Sequence, residues 1–288
     1  MFRVFRPSLS LAALIFLIGV GRSLTDRTAL VTVLAEGGTP IRDLKAGDFI
    51  VKEDGKKREV VDAKLSADQL SVALLLDTAQ PARGVAYPTN ALRSAASAFV
   101  HAIHAANPDA QVALWQYASA AAVSVEFTNK ADDLENAISR LYPNQQTSAV
   151  LLEALDGAAK QLAGRPTSRR AIVSVDFDSP ESSTDRLVQQ SADSITNSGA
   201  TFWAVSVRAG GTTSPIREEV LDKMTKANGG KRYSSGDASG LEGMLKKVAA
   251  SLTSQYVVTY IHPGDGQARS TTVETAGGPK VLLTPFMR

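Results

Sequence analysis

The sequence from residue 70 to residue 81 reads Leu-Ser-Val-Ala-Leu-Leu-Leu-Asp-Thr-Ala-Gln-Pro. Apolar side chains fill this stretch almost without a break up to one carboxylate, Asp77, and the polar loop that follows stops at Pro81. A strand that is apolar on both faces belongs in the middle of a sheet that helices cover on both sides. Because open α/β folds bind ligands at the carboxyl ends of their strands, we expect Asp77 to lie at such an edge.

Helical and strand-like patterns alternate after this stretch, which predicts an α/β fold with a doubly wound, mostly parallel sheet flanked by helices. Asn129 is the predicted N-cap of the second helix, and Ser239 with Glu242 has capping-box spacing before the last one. Gly199 and Ser214-Pro215 are a typical helix end and a typical helix start. Helices are predicted over 91–106, 130–141, 147–162, 185–198 and from 215, and strands over 111–117, 122–127, 171–175, 201–207 and 255–262.

Short β-like segments flank this alternating region on both sides. Asp54-Gly55 separates two of them, and this residue pair favours a two-residue hairpin turn. We therefore expect a small N-terminal β-hairpin subdomain over 27–68 and a main domain over 69–262. Residues 263–288 are predicted to form a C-terminal β extension that packs on the sheet or on the N-terminal subdomain.

The charge balance and the N-terminus restrict partners and location. The chain has 31 basic and 29 acidic residues without a basic run, so a nucleic-acid partner is not indicated. Arg3 and Arg6 precede an apolar segment and small residues, which is typical of a signal peptide over 1–22. That apolar segment is shorter than the roughly 20 residues that a membrane-spanning helix needs. We therefore expect no stable membrane span once the signal peptide is removed. An uncleaved N-terminal anchor is the alternative.

Cysteine is absent from the whole sequence. There is consequently no disulfide framework, no thiolate metal site and no cysteine for lipid attachment. Together with the signal-like N-terminus, this composition fits an exported protein of a bacterial envelope, either periplasmic or extracellular.

Four segments, taken in order, resemble the von Willebrand factor A (VWA) domains of exported bacterial proteins. Residues 70–78 resemble the first strand of that domain, and 221–233 resemble the segment before its late strand. The other two segments are Asp48-Phe-Ile-Val-Lys-Glu-Asp-Gly55, similar to a hairpin that precedes the domain, and Ser254-Gln-Tyr-Val-Val-Thr-Tyr260, similar to its closing segment. The resemblance implies a Rossmann-like fold over most of the chain.

Members of this family with an intact site bind Mg²⁺ or Mn²⁺ through an Asp-x-Ser-x-Ser loop, a threonine and a further aspartate. Hard divalent ions prefer oxygen ligands, and Mg²⁺ takes six in a near-octahedral array. The resemblance assigns the first carboxylate to Asp77, but Ala79 and Pro81 stand at the two serine positions and lack a side-chain oxygen. Thr147 is the candidate threonine, and Asp176 or Asp178 is the candidate last aspartate.

These residues also have a purely structural interpretation. Asp77 is then expected to accept hydrogen bonds from loop amides, and Thr147 to be the N-cap of the following helix. Since two oxygens of the site are missing, we expect the metal site to be degenerate and no cofactor to be required. Binding of Mg²⁺ or Mn²⁺ by Asp77, Thr147 and Asp176 remains the alternative.

Three functions follow from these patterns. The first is a non-enzymatic module in the cell envelope that binds a protein partner at the Asp77 edge. The second is an adhesion-type binder that depends on Mg²⁺ or Mn²⁺ and keeps part of the metal site. The third is an envelope enzyme that uses the paired carboxylates of Asp176 and Asp178, although no catalytic motif accompanies them.

Overall fold

The computed structural model describes residues 24–80, 86–144, 148–210, 214–264 and 268–287 of the chain. The predicted signal segment 1–22 lies outside these residues. No helix in the described ranges is long and apolar enough to cross a membrane. The helices are α1 (Thr89–Ala106), α2 (Ala131–Ser139), α3 (Leu151–Ala163), α4 (Arg186–Ser198), α5 (Pro215–Ala227) and α6 (Leu241–Leu252). The strands are β1 (Leu24–Leu34), β2 (Phe49–Glu53), β3 (Lys56–Arg58), β4 (Val60–Leu65), β5 (Leu70–Asp77), β6 (Gln111–Tyr117), β7 (Ala121–Thr128), β8 (Arg169–Asp176), β9 (Thr201–Val207), β10 (Arg232–Ser235), β11 (Gln255–Pro263), β12 (Thr271–Thr275) and β13 (Lys280–Met287).

The central sheet has six strands in the order β10-β9-β8-β5-β6-β7. Neighbouring strands from β10 to β6 run parallel, and only β7 is antiparallel, in a hairpin with β6. Within β5, Leu74 lies opposite Leu114 of β6 and opposite Val173 of β8. The predicted α/β class and the central position of β5 are confirmed.

Helices cover both faces of this sheet because the side chains of β5 alternate between them. Leu74 and Leu76 pack in one core with residues of α1, α2 and α6. Ala73 and Leu75 pack in the opposite core with residues of α3, α4 and α5. A strand with two buried faces must be apolar throughout, which accounts for the run that begins at Leu70.

A separate β unit packs beside the helix-flanked sheet. It consists of a four-stranded sheet, β13-β1-β11-β4, and a three-stranded sheet, β12-β2-β3. Its core contains Val31, Val51, Tyr256 and Tyr260. The strand predicted over 255–262 as the closing strand of the main domain is β11, which lies between β1 and β4 in this unit. The C-terminal strands also join it, since β12 pairs with β2 and β13 pairs with β1.

Arg169, at the start of β8, anchors the two connections between the main sheet and the β unit. Its guanidinium donates to the carbonyls of Ser66 (3.1 Å) and Asp68 (2.8 Å), just before β5. It also donates to the carbonyl of Leu252 (2.6 Å) and to Oε1 of Gln255 (3.4 Å), between α6 and β11. Burial lowers the pKa of Arg169 to about 10, against the opposing charge of Asp68. One buried side chain therefore contacts both segments that connect the main sheet to the β unit.

Several predicted turns and caps can be compared with the structure. The Asp54-Gly55 turn is confirmed, with φ of 48° and 77° at its two residues. Gly199 ends α4 with φ of 67°, and Pro215 is the first residue of α5, both as predicted. The N-cap at Asn129 is wrong, because α2 begins after Lys130 and no side chain caps it.

The predicted capping box of Ser239 and Glu242 is also wrong. Asp237 accepts a hydrogen bond from the Ser239 amide and caps a short 3₁₀ turn, and α6 starts at Leu241. The helix predicted over 147–162 begins later, at Leu151, and its predicted N-cap Thr147 lies outside the described residues. Short polar residues near a helix start favour several local hydrogen bonds, so spacing alone does not select among them.

Candidate functional site

Acidic side chains collect at the carboxyl edge of the central sheet, where the sequence places them. Asp77 ends β5 and Asp176 ends the neighbouring parallel strand β8, and both are fully buried. Asp178 follows two residues later and is 3% exposed. Carboxylates buried at one edge require internal hydrogen-bond donors or cations, because an unpaired buried charge is very costly. The identity of those donors decides what this edge can do.

Asp77 is surrounded by donors from its own chain. Its Oδ1 accepts a hydrogen bond from the Ala79 amide at 3.0 Å. Its Oδ2 accepts from the hydroxyl of Ser179 at 2.7 Å, from the Phe177 amide at 3.3 Å and from Nη1 of Arg217 at 3.2 Å. The expectation that Asp77 accepts from loop amides is confirmed, but the cation beside it is an arginine that the sequence did not reveal.

Arg217 lies in the first turn of α5, and its side chain is only 1% exposed. Its Nε donates to Oε2 of Glu181 at 3.0 Å, and its Nη1 donates to the hydroxyl of Ser179 at 2.9 Å. The same Nη1 lies 3.3 Å from the carbonyl oxygen of Phe177. A cation near a helix N-terminus is unfavourable for the helix dipole, so this position depends on the carboxylates around it.

The pKa shifts follow from this buried pairing. Burial raises the pKa of Asp77, while the charge of Arg217 and the hydrogen bond from Ser179 oppose that rise. Burial by itself would lower the pKa of Arg217, but the charges of Asp77 and Glu181 raise it overall. The guanidinium of Arg217 therefore keeps its charge at neutral pH, and it lies against the buried carboxyl group of Asp77.

A second arginine, Arg208, neutralises the neighbouring carboxylates. It forms an ion pair with Asp176, a second with Glu218 at 2.6 Å, and a third with Asp178 at 3.7 Å. The other oxygen of Asp176 accepts from the hydroxyl of Ser206 at 2.9 Å. Burial would lower the pKa of Arg208, but Asp176 and Glu218 raise it overall.

The predicted metal ligands are therefore distributed between two arginines. Asp77 contacts Arg217, whereas Asp176 and Asp178 contact Arg208. Thr147 and Pro81 lie outside the described residues, and Ala79 contributes an amide donor to Asp77 instead of an oxygen. No group of three or more His, Cys, Asp or Glu side chains in the described ranges is arranged to hold an ion. The amides, the hydroxyl and the guanidinium around Asp77 do not supply the six oxygen ligands that Mg²⁺ prefers.

Sequence signals for the two arginines exist, although they are weak. Arg217, Val220, Leu221 and Met224 recur at helical spacing on α5, so Arg217 lies on the face that the apolar residues bury. Arg208 directly follows β9, a fully buried strand that ends at the same edge as β5 and β8. A basic residue on a buried face, or at the end of a buried strand, indicates a paired carboxylate elsewhere in the chain.

The pattern of strands and the position of Asp77 agree with a sequence comparison. A family model of the von Willebrand factor type A domain matches residues 72–180. The chain contains a VWA domain. The matched segment runs from β5 to the loop after β8, so it includes Asp77 and Asp176 but ends before Arg208 and Arg217.

Solved structures show the same fold at low sequence identity. A von Willebrand factor type A protein from Catenulispora acidiphila aligns over 92% of this chain and 73% of its own length, with 14% identity and a TM-score of 0.56. The domain of the type V pilus tip protein Mfa5 from Porphyromonas gingivalis aligns over 63% of this chain and 94% of its own, with 11% identity and a TM-score of 0.51.

A third structure is described as having a metal in the family's adhesion site. Proximal thread matrix protein 1 from the mussel byssus, with a zinc-occupied metal-ion-dependent adhesion motif, aligns over 71% of this chain and 50% of its own. Its identity is 12% and its TM-score is 0.53. This chain thus spans about half the length of that protein. A comparison with curated proteins finds no match.

Proposed function

We propose that this chain is a non-enzymatic protein-interaction module, exported to a bacterial cell envelope, whose VWA domain binds a protein partner without a metal ion. One observation carries the proposal: the guanidinium of Arg217 lies against Asp77, the residue to which the family resemblance assigns the first metal-ligating carboxylate. A fixed cation supplied by the chain replaces the charge that a divalent ion would bring. VWA domains are protein-interaction modules, which supports the binding role.

The proposed location rests on the sequence and on one of the structural neighbours. The signal-like segment 1–22 and the absence of cysteine favour export to the periplasm or the cell surface. The VWA domain of a pilus tip protein has the same fold, which is compatible with a role outside the cytoplasm. The carboxylates at the edge are held in ion pairs, which favours a binding role over a catalytic one.

The binding edge can be tested by photo-crosslinking. Tyr142 is 69% exposed and lies in the loop before Asn144, whose amide donates to the carbonyl of Thr78 beside Asp77. With p-benzoylphenylalanine in place of Tyr142, we expect a discrete adduct with a protein of the native envelope, unchanged by EDTA. The matched control replaces exposed Asp109, in the loop before β6 at the opposite edge, and should give no such adduct. Equal adducts at both positions, or an adduct lost in EDTA, would contradict the proposal.

The proposed independence from metal ions can be tested directly by titration. Because Asp77 and Asp176 are already paired with arginines, we expect no saturable heat when Mg²⁺ or Mn²⁺ is titrated into the wild-type chain. The melting temperature should not rise with either ion, since only a ligand that binds the folded state stabilises it. The Asp77→Asn variant should behave identically in this titration. Saturable heat that Asp77→Asn abolishes would instead support the metal-dependent alternative.

A further inference from the structure

Three lysines from separate segments lie where the main sheet borders the β unit. Lys231 directly precedes β10, Lys247 lies in α6, which packs beside β10, and Lys280 is the first residue of β13. Strand β13 passes close to the turn before β10, since a Cβ atom at Gly229 would lie 2.4 Å from the carbonyl oxygen of Leu283. Lys231 is half-buried, and the other two lysines are exposed. We call these three residues the lysine surface.

The turn after β1 and an aromatic ring hold the ammonium group of Lys231. Lys280 lies opposite Leu34, the last residue of β1, and the turn that follows contains Gly38. A Cβ atom at Gly38 would lie 3.3 Å from Nζ of Lys231 and 3.2 Å from the Tyr233 hydroxyl, so only glycine allows this close approach. The same Nζ lies 4.8 Å from the centre of the Tyr233 ring, in a cation–π contact. The central charge of the lysine surface is therefore already in place before a ligand binds.

No carboxylate forms an ion pair with the lysine surface in the part of the chain that the structure describes. The lysines that do pair with a carboxylate there are Lys52, Lys64, Lys160, Lys223 and Lys246. Burial lowers the pKa of Lys231, and the charges of Lys280 and Lys247 lower it further, with no acid acting against them. Even if the exposed Glu36 of the adjacent turn is counted against the three lysines, two positive charges stay unbalanced.

We propose that the lysine surface binds an acidic segment of a protein, whose Asp or Glu side chains meet the three ammonium groups. Carboxylates would offset the repulsion among the lysines, and complementary charge of this kind gives specificity and fast association. Anionic membranes are recognised by clusters of about four to eight basic residues, more than this surface contains. The surface is separate from the Asp77 edge, because Lys231 lies at the amino end of a strand three positions away from β5 in the sheet.

The test titrates the full chain into a fluorescein-labelled hexaglutamate peptide at low ionic strength and follows fluorescence anisotropy. We expect saturable binding that weakens as NaCl is added, because salt screens exposed charges. A hexaglutamine peptide of the same length should not bind. The double variant Lys247→Gln with Lys280→Gln removes two exposed charges and should weaken hexaglutamate binding by about three- to tenfold, as for two exposed charge pairs. In ¹⁵N NMR, the amide signals of Gly38 and Tyr233 should shift during the titration.

The matched control is Lys64→Gln with Lys130→Gln, which changes the net charge by the same amount. Lys64 lies in β4, at the other edge of its sheet from β13, and exposed Lys130 directly precedes α2, so peptide binding should not change. Equal losses in both double variants, NMR shifts only outside the lysine surface or no binding would overturn the inference. Binding to vesicles of equal parts phosphatidylglycerol and phosphatidylcholine that the first double variant abolishes would also overturn it, in favour of a membrane. Crosslinking at Tyr142 tests the proposed function separately.

Discussion

Replacing Arg217 by methionine is expected to destabilise the protein by about 3–5 kcal/mol, the usual cost of breaking a buried ion pair from one side. Methionine retains most of the volume of the side chain but leaves Asp77 and Glu181 without their shared cation. The hydroxyl of Ser179 would lose one partner as well. Urea unfolding followed by the fluorescence of Trp115 and Trp203 measures the change.

Two further variants separate the ion pair from general packing effects. Arg140 is exposed, and Arg140→Met should change the free energy of unfolding by no more than about 0.5 kcal/mol. In the double variant Asp77→Asn with Arg217→Met, one uncompensated charge is removed. We therefore expect the double variant to cost less than the sum of the two single changes, by about 1–3 kcal/mol. Additive costs, or an Arg217→Met variant as stable as Arg140→Met, would refute the role assigned to Arg217.

The fold was predictable because its signals are local. The apolar run from Leu70 is long enough to require burial on both faces, and Asp54-Gly55, Gly199 and Pro215 mark ends and turns through their own backbone preferences. Each of these signals depends on a few adjacent residues. No knowledge of distant contacts is needed to interpret them.

The arginines at the edge were not predicted because they act across long distances in the sequence. Arg217 lies 140 residues after Asp77, and nothing near Asp77 indicates which side chain will reach it. The pairing of β11 within the β unit was also not predictable from the local sequence. Its residues alternate between buried and less buried, which fits a one-sided sheet, but its pairing with β1 and β4 is a non-local event. The metal-site assignment to Asp77, Thr147 and Asp176 stays a prediction, with Thr147 outside the described residues.

Glu53 is a central charge in the β unit, as Arg217 is at the edge of the main sheet. It is fully buried, with His262 Nδ1 at 2.6 Å, Arg58 Nε at 2.9 Å, the Tyr260 hydroxyl at 3.1 Å and Arg27 Nη1 at 3.3 Å. These partners come from β1, β3 and β11, so the carboxylate joins the three-stranded sheet to the four-stranded one. Burial acts to raise the pKa of Glu53, but the hydrogen bonds from His262, Arg58 and Tyr260 outweigh it, and the pKa is lowered below 4.5.

Glu53→Gln is accordingly expected to cost about 2–3 kcal/mol at neutral pH, since its charged partners keep some solvent contact. A carboxylate with a depressed pKa stabilises the folded state above its unfolded pKa, and this stabilisation is lost as the pH falls through its folded pKa. The difference in unfolding free energy between wild type and Glu53→Gln should thus be largest above pH 4.5 and should shrink below it. Other acids with lowered pKa values, such as Asp156 and Glu218, are present in both proteins and cancel.

The matched control for Glu53 is Glu274, a residue of the same type on the adjacent strand β12. Glu274 pairs with Lys52 at 2.9 Å, but both side chains are exposed, so Glu274→Gln should cost no more than about 0.5 kcal/mol at any pH. Urea unfolding of the three proteins between neutral pH and mild acid gives the comparison. A Glu53→Gln cost that equals that of Glu274→Gln, or one that does not decrease in acid, would mean that Glu53 is not the charge that joins the two sheets. A larger cost for Glu53→Gln that decreases in acid would show that the β unit depends on one buried carboxylate, just as the sheet edge depends on one buried guanidinium.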